Sequence, residues 1–549
     1  MCSKHKTKGG IPMKDKFFIP GVIVGVLLFF SALPRHCYAL DYLDGRLRVK
    51  GSLYEFMIYR TSFNPDERQY YRDTKWGLMR TKGTLELLYK AVENDKLLVN
   101  LFGFFQYWHE SVPDFDNKYR RSIAPQNRKA YQGPFFDQDD WINEAYADVY
   151  YGPWNIRLGK QIVFWSEVEM VRTIDRINTL DLRYTTPGID PWDEIKLGLW
   201  MMRGFYNSTL PGQLVFEWIW IPGDFEQVRT PTDGTSMAGG VVKPQGPKNL
   251  RPRPFGQKTL ADLLFQRARP AVTLSNSSWA LRIRGNSEVK LFKEDYLLDW
   301  TVSWFHGMDT SPVARTKTLG KPSVTNLNPN TLNGLLGRNA VSRVFGLSLP
   351  QVPYYRLFEY KFFDAIGASC QTLVPAIQSV VRGELSYEIG VPINTTFPRN
   401  IEPSGDFITG NSERDQVNVG LTVDRPVLVP WLQERGWAAF DCSLGWSAQW
   451  RLGNVSRRWS TFGWGDKSQS NLSALVKGKF YHEEFRPVIR FLYNTRNWGY
   501  GVIACQYAPG EHMRYELGYL GFFAKDPTDS SEASLEQGDC LYFRIGYEF

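Results

Sequence analysis

No run of about twenty consecutive apolar residues follows position 40, so the chain beyond it offers no helix able to cross a bilayer. Histidine is scarce. Of six, His5 and His36 precede position 40, and His109, His306, His482 and His512 are scattered, with no Cys, Asp or second His at metal-ligand spacing. There is no Gly-x-Ser-x-Gly elbow and no Walker loop, so no cofactor is expected and no nucleophile or phosphate cradle is signalled. Cysteine is sparse as well: Cys2 and Cys37 lie early, and Cys370, Cys442, Cys505 and Cys540 each sit inside a strand-like run. They lack the clustered spacing of a disulfide framework or a zinc site and read as small apolar side chains on a strand face, with pairing among them left open. Only 22% of residues are charged, and no basic patch suggests nucleic acid.

Aromatic residues, by contrast, are abundant. Trp, Tyr and Phe make up 15% of the 549 residues, a share that suits strands and the interfacial belts of a membrane barrel. The first residues add a targeting signal: Lys4, Lys6, Lys8, Lys14 and Lys16 precede the apolar run Phe17 to Leu33, and Cys37-Tyr38-Ala39 ends in a small residue. We read 1–39 as an export signal peptide, with Met13 a possible alternative start and 40–549 as the mature domain. A single membrane anchor is the competing reading, disfavoured by Pro20-Gly21 and the polar stretch that follows. Removing the signal takes away six Lys and Arg with one Asp and lowers the formal charge from +8 to +3, so the pI of 8.9 owes much to a discarded segment.

The rest of the chain falls into segments of period-two alternation separated by turns or long polar loops. The expected strands are 46–60, 77–91, 96–109, 141–151, 154–165, 196–206, 213–222, 278–288, 295–307, 354–373, 377–390, 414–425, 437–452, 471–483, 486–496, 498–508, 512–523 and 538–549. Between them, 110–140, 166–195, 223–277, 308–352, 391–413 and 453–470 are rich in Pro, Gly, Asn, Asp and Arg, more long connections than a compact soluble domain carries. Arg251-Pro252-Arg253-Pro254 reads as a rigid exposed stretch. Trp108, Trp141, Trp154, Trp165, Tyr481 and Trp498 stand near segment ends and are candidates for interfacial belts.

The clearest alternation is the last. Leu541, Phe543, Ile545, Tyr547 and Phe549 interleave with Tyr542, Arg544, Gly546 and Glu548, one apolar face and one polar, as lipid on one side and an aqueous lumen on the other require. Phe543, Ile545, Tyr547 and Phe549 match the carboxyl-terminal signal read by the machinery that inserts bacterial outer-membrane barrels; an edge strand of a soluble sandwich is the plainer alternative. The expected fold is all-β: a single transmembrane antiparallel β-barrel of about 18 strands (16 to 20), with long extracellular or inward-folded loops. The expected location is the outer membrane of a Gram-negative bacterium.

One segment carries a family resemblance. Asn143-Glu144-Ala145-Tyr146 with Asp148 leads through Gly152-Pro153-Trp154-Asn155-Ile156-Arg157-Leu158-Gly159-Lys160-Gln161 to Trp165-Ser166-Glu167 and Asp175-Arg176-Ile177-Asn178-Thr179-Leu180-Asp181-Leu182-Arg183. This resembles the outer-membrane family labelled domain of unknown function thirteen-oh-two, and Val380-Val381-Arg382-Gly383-Glu384-Leu385-Ser386-Tyr387 resembles a later strand of it. Lys160, Ser166 and Thr179 stand where that pattern has Arg, Gly and Pro. The resemblance implies a porin-like barrel, with genomic context suggesting export or uptake of hydrophobic compounds.

Physically, Gly152-Pro153-Trp154-Asn155 is a tight periplasmic-type turn. Glu167, Glu169, Arg172, Asp175, Arg176, Asp181 and Arg183 then concentrate both signs of charge in the loop 166–195. That pattern suits a loop folded against the barrel wall, either constricting the lumen and setting selectivity or latching it to the wall through ion pairs. The expected function is an outer-membrane porin-like channel or transporter for small solutes, hydrophobic ones included. A scaffold barrel of an envelope complex and, less favoured, an outer-membrane enzyme are the alternatives. Expected partners are outer-membrane lipid, the insertion machinery and periplasmic or envelope proteins.

Overall fold

The computed structural model describes residues 40–61, 76–112, 140–168, 173–181, 186, 188–190, 194–229, 270–291, 294–311, 313–314, 358–396, 408–430, 437–453, 467–495, 498–524 and 539–549. The alternating segments become β1 (Leu47–Arg60), β2 (Trp76–Glu93), β3 (Leu97–Glu110), β4 (Ile142–Tyr151), β5 (Trp154–Gln161), β6 (Leu199–Asn207), β7 (Val215–Ile221), β8 (Ser278–Leu291) and β9 (Glu294–Met308). They continue as β10 (Phe362–Val374), β11 (Ser379–Thr396), β12 (Ile408–Val427), β13 (Trp437–Arg451), β14 (Ser468–Phe480), β15 (Phe485–Asn494), β16 (Trp498–Tyr507), β17 (Met513–Ala524) and β18 (Cys540–Glu548). Each pairs antiparallel with its sequence neighbour, and β1 also pairs with β18, from Ser52 opposite Glu548 to Arg60 opposite Cys540. The ring of 18 strands is therefore closed, and no open edge is presented to lipid. Outside it, Leu40–Tyr42 pairs antiparallel with the first residues of β1, Leu47 to Val49, and Val313–Ala314 pairs with Phe358–Glu359.

Alternation decides which side is which. Leu444 and Ile503 are each 64% exposed and Leu517 59%, yet Ser386 is 1%, Glu217 2% and Glu384 3% exposed. An apolar outside around a polar inside is the reverse of a soluble protein and is the arrangement of a bacterial outer-membrane barrel. Short turns such as Gly152-Pro153, where Gly152 adopts φ +55°, close one end, and the long connections lie at the other. The carboxyl-terminal Phe549 exchanges two 2.9 Å backbone hydrogen bonds with Gly51, while Ile545 packs with Met513, Leu53, Tyr515, Phe543 and Tyr547, so the last residues stitch the closing seam.

Three expectations need correction. The strand expected over 154–165 ends at Gln161, because Ile162, Val163 and Trp165 turn inward and are buried. The strand expected from 354 begins at Phe362, and β11 and β12 run into the segment 391–413 read as loop. Of the candidate belt residues, Trp141 (64% exposed), Trp154 (45%) and Tyr481 (56%) stand on the outside, but Trp108 (7%) and Trp165 (1%) are buried in the lumen, and Trp498 packs on an inward-facing cluster. The position of a Trp near a segment end says nothing of its face; parity along the strand does. The four described cysteines, Cys370, Cys442, Cys505 and Cys540, are all unpaired thiols, and Cys540 is buried. Residues 1–39, with the signal-peptide reading, and Arg251-Pro252-Arg253-Pro254 lie outside the described residues.

Candidate functional site: a loop across the lumen

The connection between β5 and β6, 162–198, enters the barrel. Its first lobe, described over 162–168 and 173–176, carries Val163, Trp165 and Ile174 into an apolar cluster with Leu199, Met201, Ile219, Phe305 and Phe363, all on inward faces of β6, β7, β9 and β10. Burying a side chain the size of Val or Ile is worth about 1.5–3 kcal/mol relative to leaving it in water, which sets the lobe's direction. Polar contacts then fix its place. The Glu384 carboxylate on β11 accepts from the Ser166 hydroxyl at 2.9 and 3.0 Å, from the Val168 N–H at 3.1 Å and from the Glu167 N–H. Ser386 donates to the Thr173 carbonyl at 2.8 Å, and Arg176 meets Glu388 at 2.5 Å. Glycine makes this approach possible: a Cβ on Gly420 would lie 2.9 Å from the Thr173 hydroxyl, and one on Gly367 2.8 Å from Ile174.

The second lobe, described at 186, 188–190 and 194–197, reaches the other wall. Ile189 packs with Phe56 and Ile58 of β1, Leu78 of β2, Leu520 and Phe522 of β17 and Tyr542 of β18. Around it, Arg544 lies 3.4 Å from Asp190, Lys82 2.9 Å from Glu194, and Arg490 donates to the Gly188 carbonyl. The Thr186 N–H also donates to Asp190 at 2.7 Å. Burial pushes the Asp190 carboxyl above the usual range despite Arg80 and Arg544 nearby, whereas at Glu194 the cost of burial is outweighed by Lys82 and Arg544 and the carboxyl is held low. The lobes are joined by the buried Lys196–Asp175 pair and by Asn178, which accepts from the Val163 N–H at 2.8 Å and donates to the Leu197 carbonyl at 2.8 Å. Since β11 and β1 stand eight strands apart in a ring of 18, one loop is pinned to nearly opposite walls.

The structure brings together part of the charge set read from the sequence. Asp175 pairs with Lys196, Arg176 with Glu388, and Asp181 with Arg229 at 3.8 Å, while the exposed Glu167 uses its backbone N–H rather than its carboxylate. Burial opposes ionisation of Arg176, but Glu388 outweighs it and holds the guanidinium charged. Glu169, Arg172 and Arg183 lie outside the described residues. Sequence reasoning missed the wall partners: Lys82, Glu384, Glu388, Arg490 and Arg544. It also missed the loop's own Asp190, Glu194 and Lys196. The available signal was parity, since each wall residue occupies the polar face of its strand.

A family model described as Protein of unknown function (DUF1302) matches residues 46–474. The chain belongs to that family. The residues that carried the resemblance form the base of the DUF1302 loop: Arg157 grips Asp148 through two 2.7 Å bonds and stacks 4.0 Å over the Tyr146 ring, Glu144 accepts from the Ile162 N–H at 2.9 Å, and Asn143 bridges Gly198 and the Lys196 carbonyl. Nearby, Glu217 joins Arg203 and Arg282, each at 2.7 Å, and accepts from the Trp165 indole at 3.3 Å. No curated protein matches the chain. Among solved structures it is similar to OccAB3 of Acinetobacter baumannii (9% identity, TM-score 0.44, covering 92% of this chain and 99% of that one). It is also similar to OpdK of Pseudomonas aeruginosa solved with vanillate (7% identity, TM-score 0.41, covering 92% and 98%). Likeness at these scores carries no weight for chemistry; the barrel stands on its own strand register.

Proposed function

We propose that this DUF1302 protein is a porin-like outer-membrane channel for small solutes, hydrophobic ones included, in which the loop 162–198, with 166–195 at its heart, forms the constriction. The observation that supports it is the loop's attachment to two nearly opposite walls, at Glu384 and Glu388 on one side and around Ile189 on the other. A solute entering from the long-loop end meets charge of both signs there, the condition for selectivity in a narrow passage. We read the protein as non-catalytic, inserted in lipid through the signal at Phe543, Ile545, Tyr547 and Phe549. The pairs Arg176–Glu388 and Lys82–Glu194 favour one competing reading, a purely structural latch.

Planar-bilayer recording of the purified protein separates them. Wild-type barrels should conduct, and neutralising Arg172 and Arg176 together should shift the cation-to-anion preference. Unaltered selectivity in a variant that still migrates as a folded barrel without heating leaves only the latch. No current from the folded wild type sinks the channel reading altogether.

A further inference from the structure

The wall beneath the second lobe is cationic and apolar at once, and the loop meets it with the complementary groups. Arg80 and Lys82 of β2, Arg490 of β15 and Arg544 of β18 all face the lumen there, with two wall carboxylates beside them, Glu516 of β17, 3.8 Å from Arg544, and Glu110 of β3, across from Arg80. Beside these cations, Phe56, Ile58, Leu78, Leu520 and Phe522 make an apolar pocket. Into it the loop inserts consecutive residues: the branched aliphatic side chain of Ile189 enters the pocket while the Asp190 carboxylate turns to Arg544, and Glu194 takes Lys82. Behind the contact, Arg80, Lys82, Asp190 and Glu194 also line, with Trp108 and Leu197, a small cavity of about 50 Å3. An apolar body joined to a carboxylate is what this wall holds.

We propose that this wall is a recognition site for amphiphilic organic acids, a carboxylate on a branched or compact apolar skeleton, and that Ile189 and Asp190 occupy it as a tethered stand-in until such a solute displaces them. The idea rests on the channel reading for its purpose, since it names the solute class the constriction would admit. Its physical basis is independent: the four wall cations outnumber the two wall carboxylates beside them, Glu516 and Glu110, and the loop's Asp190 and Glu194 supply the balance. A solute with the wrong charge would displace the loop carboxylates from Lys82 and Arg544 without replacing them, and one lacking the apolar body would leave the pocket unfilled.

Binding to the full-length barrel in detergent tests the site without requiring transport. Isocaproate, which carries the isobutyl-like body and the carboxylate, should bind saturably, whereas isopentylammonium and acetate at the same concentration should not. Asp190→Asn with Glu194→Gln removes the competing charges and should tighten isocaproate binding by about tenfold, the order expected for one charge-assisted bond. Arg544→Gln should weaken it by a similar factor. Lys82→Met, which removes the wall cation paired with Glu194 instead, serves as a second wall variant if Arg544→Gln loses the folded band on unheated gels. Equal binding of the ammonium probe overturns the proposal, as does an unaltered isocaproate affinity in the folded variants. A barrel that binds isocaproate but passes no current in a bilayer retains this site and loses the channel; one that conducts but ignores isocaproate does the reverse.

Discussion

Where the loop meets β11, the Ser166 hydroxyl and two backbone N–H groups converge on one buried carboxylate, Glu384, whereas at β18, β1 and β2 it is held by one aliphatic side chain and by ion pairs such as Lys82–Glu194. The first arrangement is multivalent around a buried carboxylate, so the loss of one donor leaves the others holding it. The second depends on contacts that can be exchanged one at a time: the Glu194 side chain is 44% exposed, and its pair with Lys82 is open to competition from solutes and salt. One loop thus has a fixed half and an exchangeable half. The proposed constriction would use both, a frame that keeps the passage in place and a part that yields.

The largest effect should come from breaking the fixed half. Glu384→Ala takes the acceptor from the Glu167 and Val168 N–H groups, while Ser166 keeps the Val168 carbonyl at 3.1 Å, and should cost about 3 kcal/mol, read as a lower urea midpoint for the detergent-folded barrel. Glu384→Gln keeps one acceptor and should cost less. If alanine and wild type unfold together, the comparison between the lobes has no energetic content. The exchangeable half should respond more locally. Ile189→Ala empties part of the pocket formed by Phe56, Ile58 and Leu520, at a cost of about 2 kcal/mol. Amide hydrogen exchange should then quicken at 188–190 and 194–197 while 163–168 keeps its protection. A rise of equal size in both lobes shows that they move as one unit.

How far this was legible in the sequence follows from the same contrast. Period-two alternation marked all 18 strands, because every one has a lipid face and a lumen face, and that pattern is written into consecutive residues. It failed at Ile162 to Trp165, where apolar residues continue the alternation but face a lumen cluster rather than lipid; spacing cannot tell one apolar surroundings from another. The loop's charges were visible as a mixed cluster. Their partners were not, since Glu388 lies 212 residues from Arg176 and Arg544 lies 354 from Asp190, and only the closed register brings them together. Asp190, Glu194 and Lys196 drew no notice because isolated charges in a polar loop look like solvated surface until the wall behind them is known.

The finest test of the fixed half is a pH dependence beside it. Asp309 follows β9, accepts from the Ser311 N–H at 2.7 Å, and has its carboxyl raised by burial from 3.8 to about 6, with Arg176 pulling it down and Glu388 pushing it up. An acid whose folded value exceeds its unfolded one binds more protons when folded. Its contribution to stability is therefore fully present below about pH 4 and lost as pH rises through about 6. Acidification from pH 7 to pH 5 should then strengthen the fold through this group, by less than about 1 kcal/mol for a partly solvated carboxyl, and Asp309→Asn should flatten that share of the slope. The protonated side chain no longer competes for Arg176, which leaves the guanidinium wholly to Glu388, so the gain should fall on the first lobe. Heat stability measured on gels at the two pH values, wild type against Asp309→Asn, decides it: identical slopes mean that Asp309 ionises like a surface carboxylate and that the frame around Glu388 is indifferent to it.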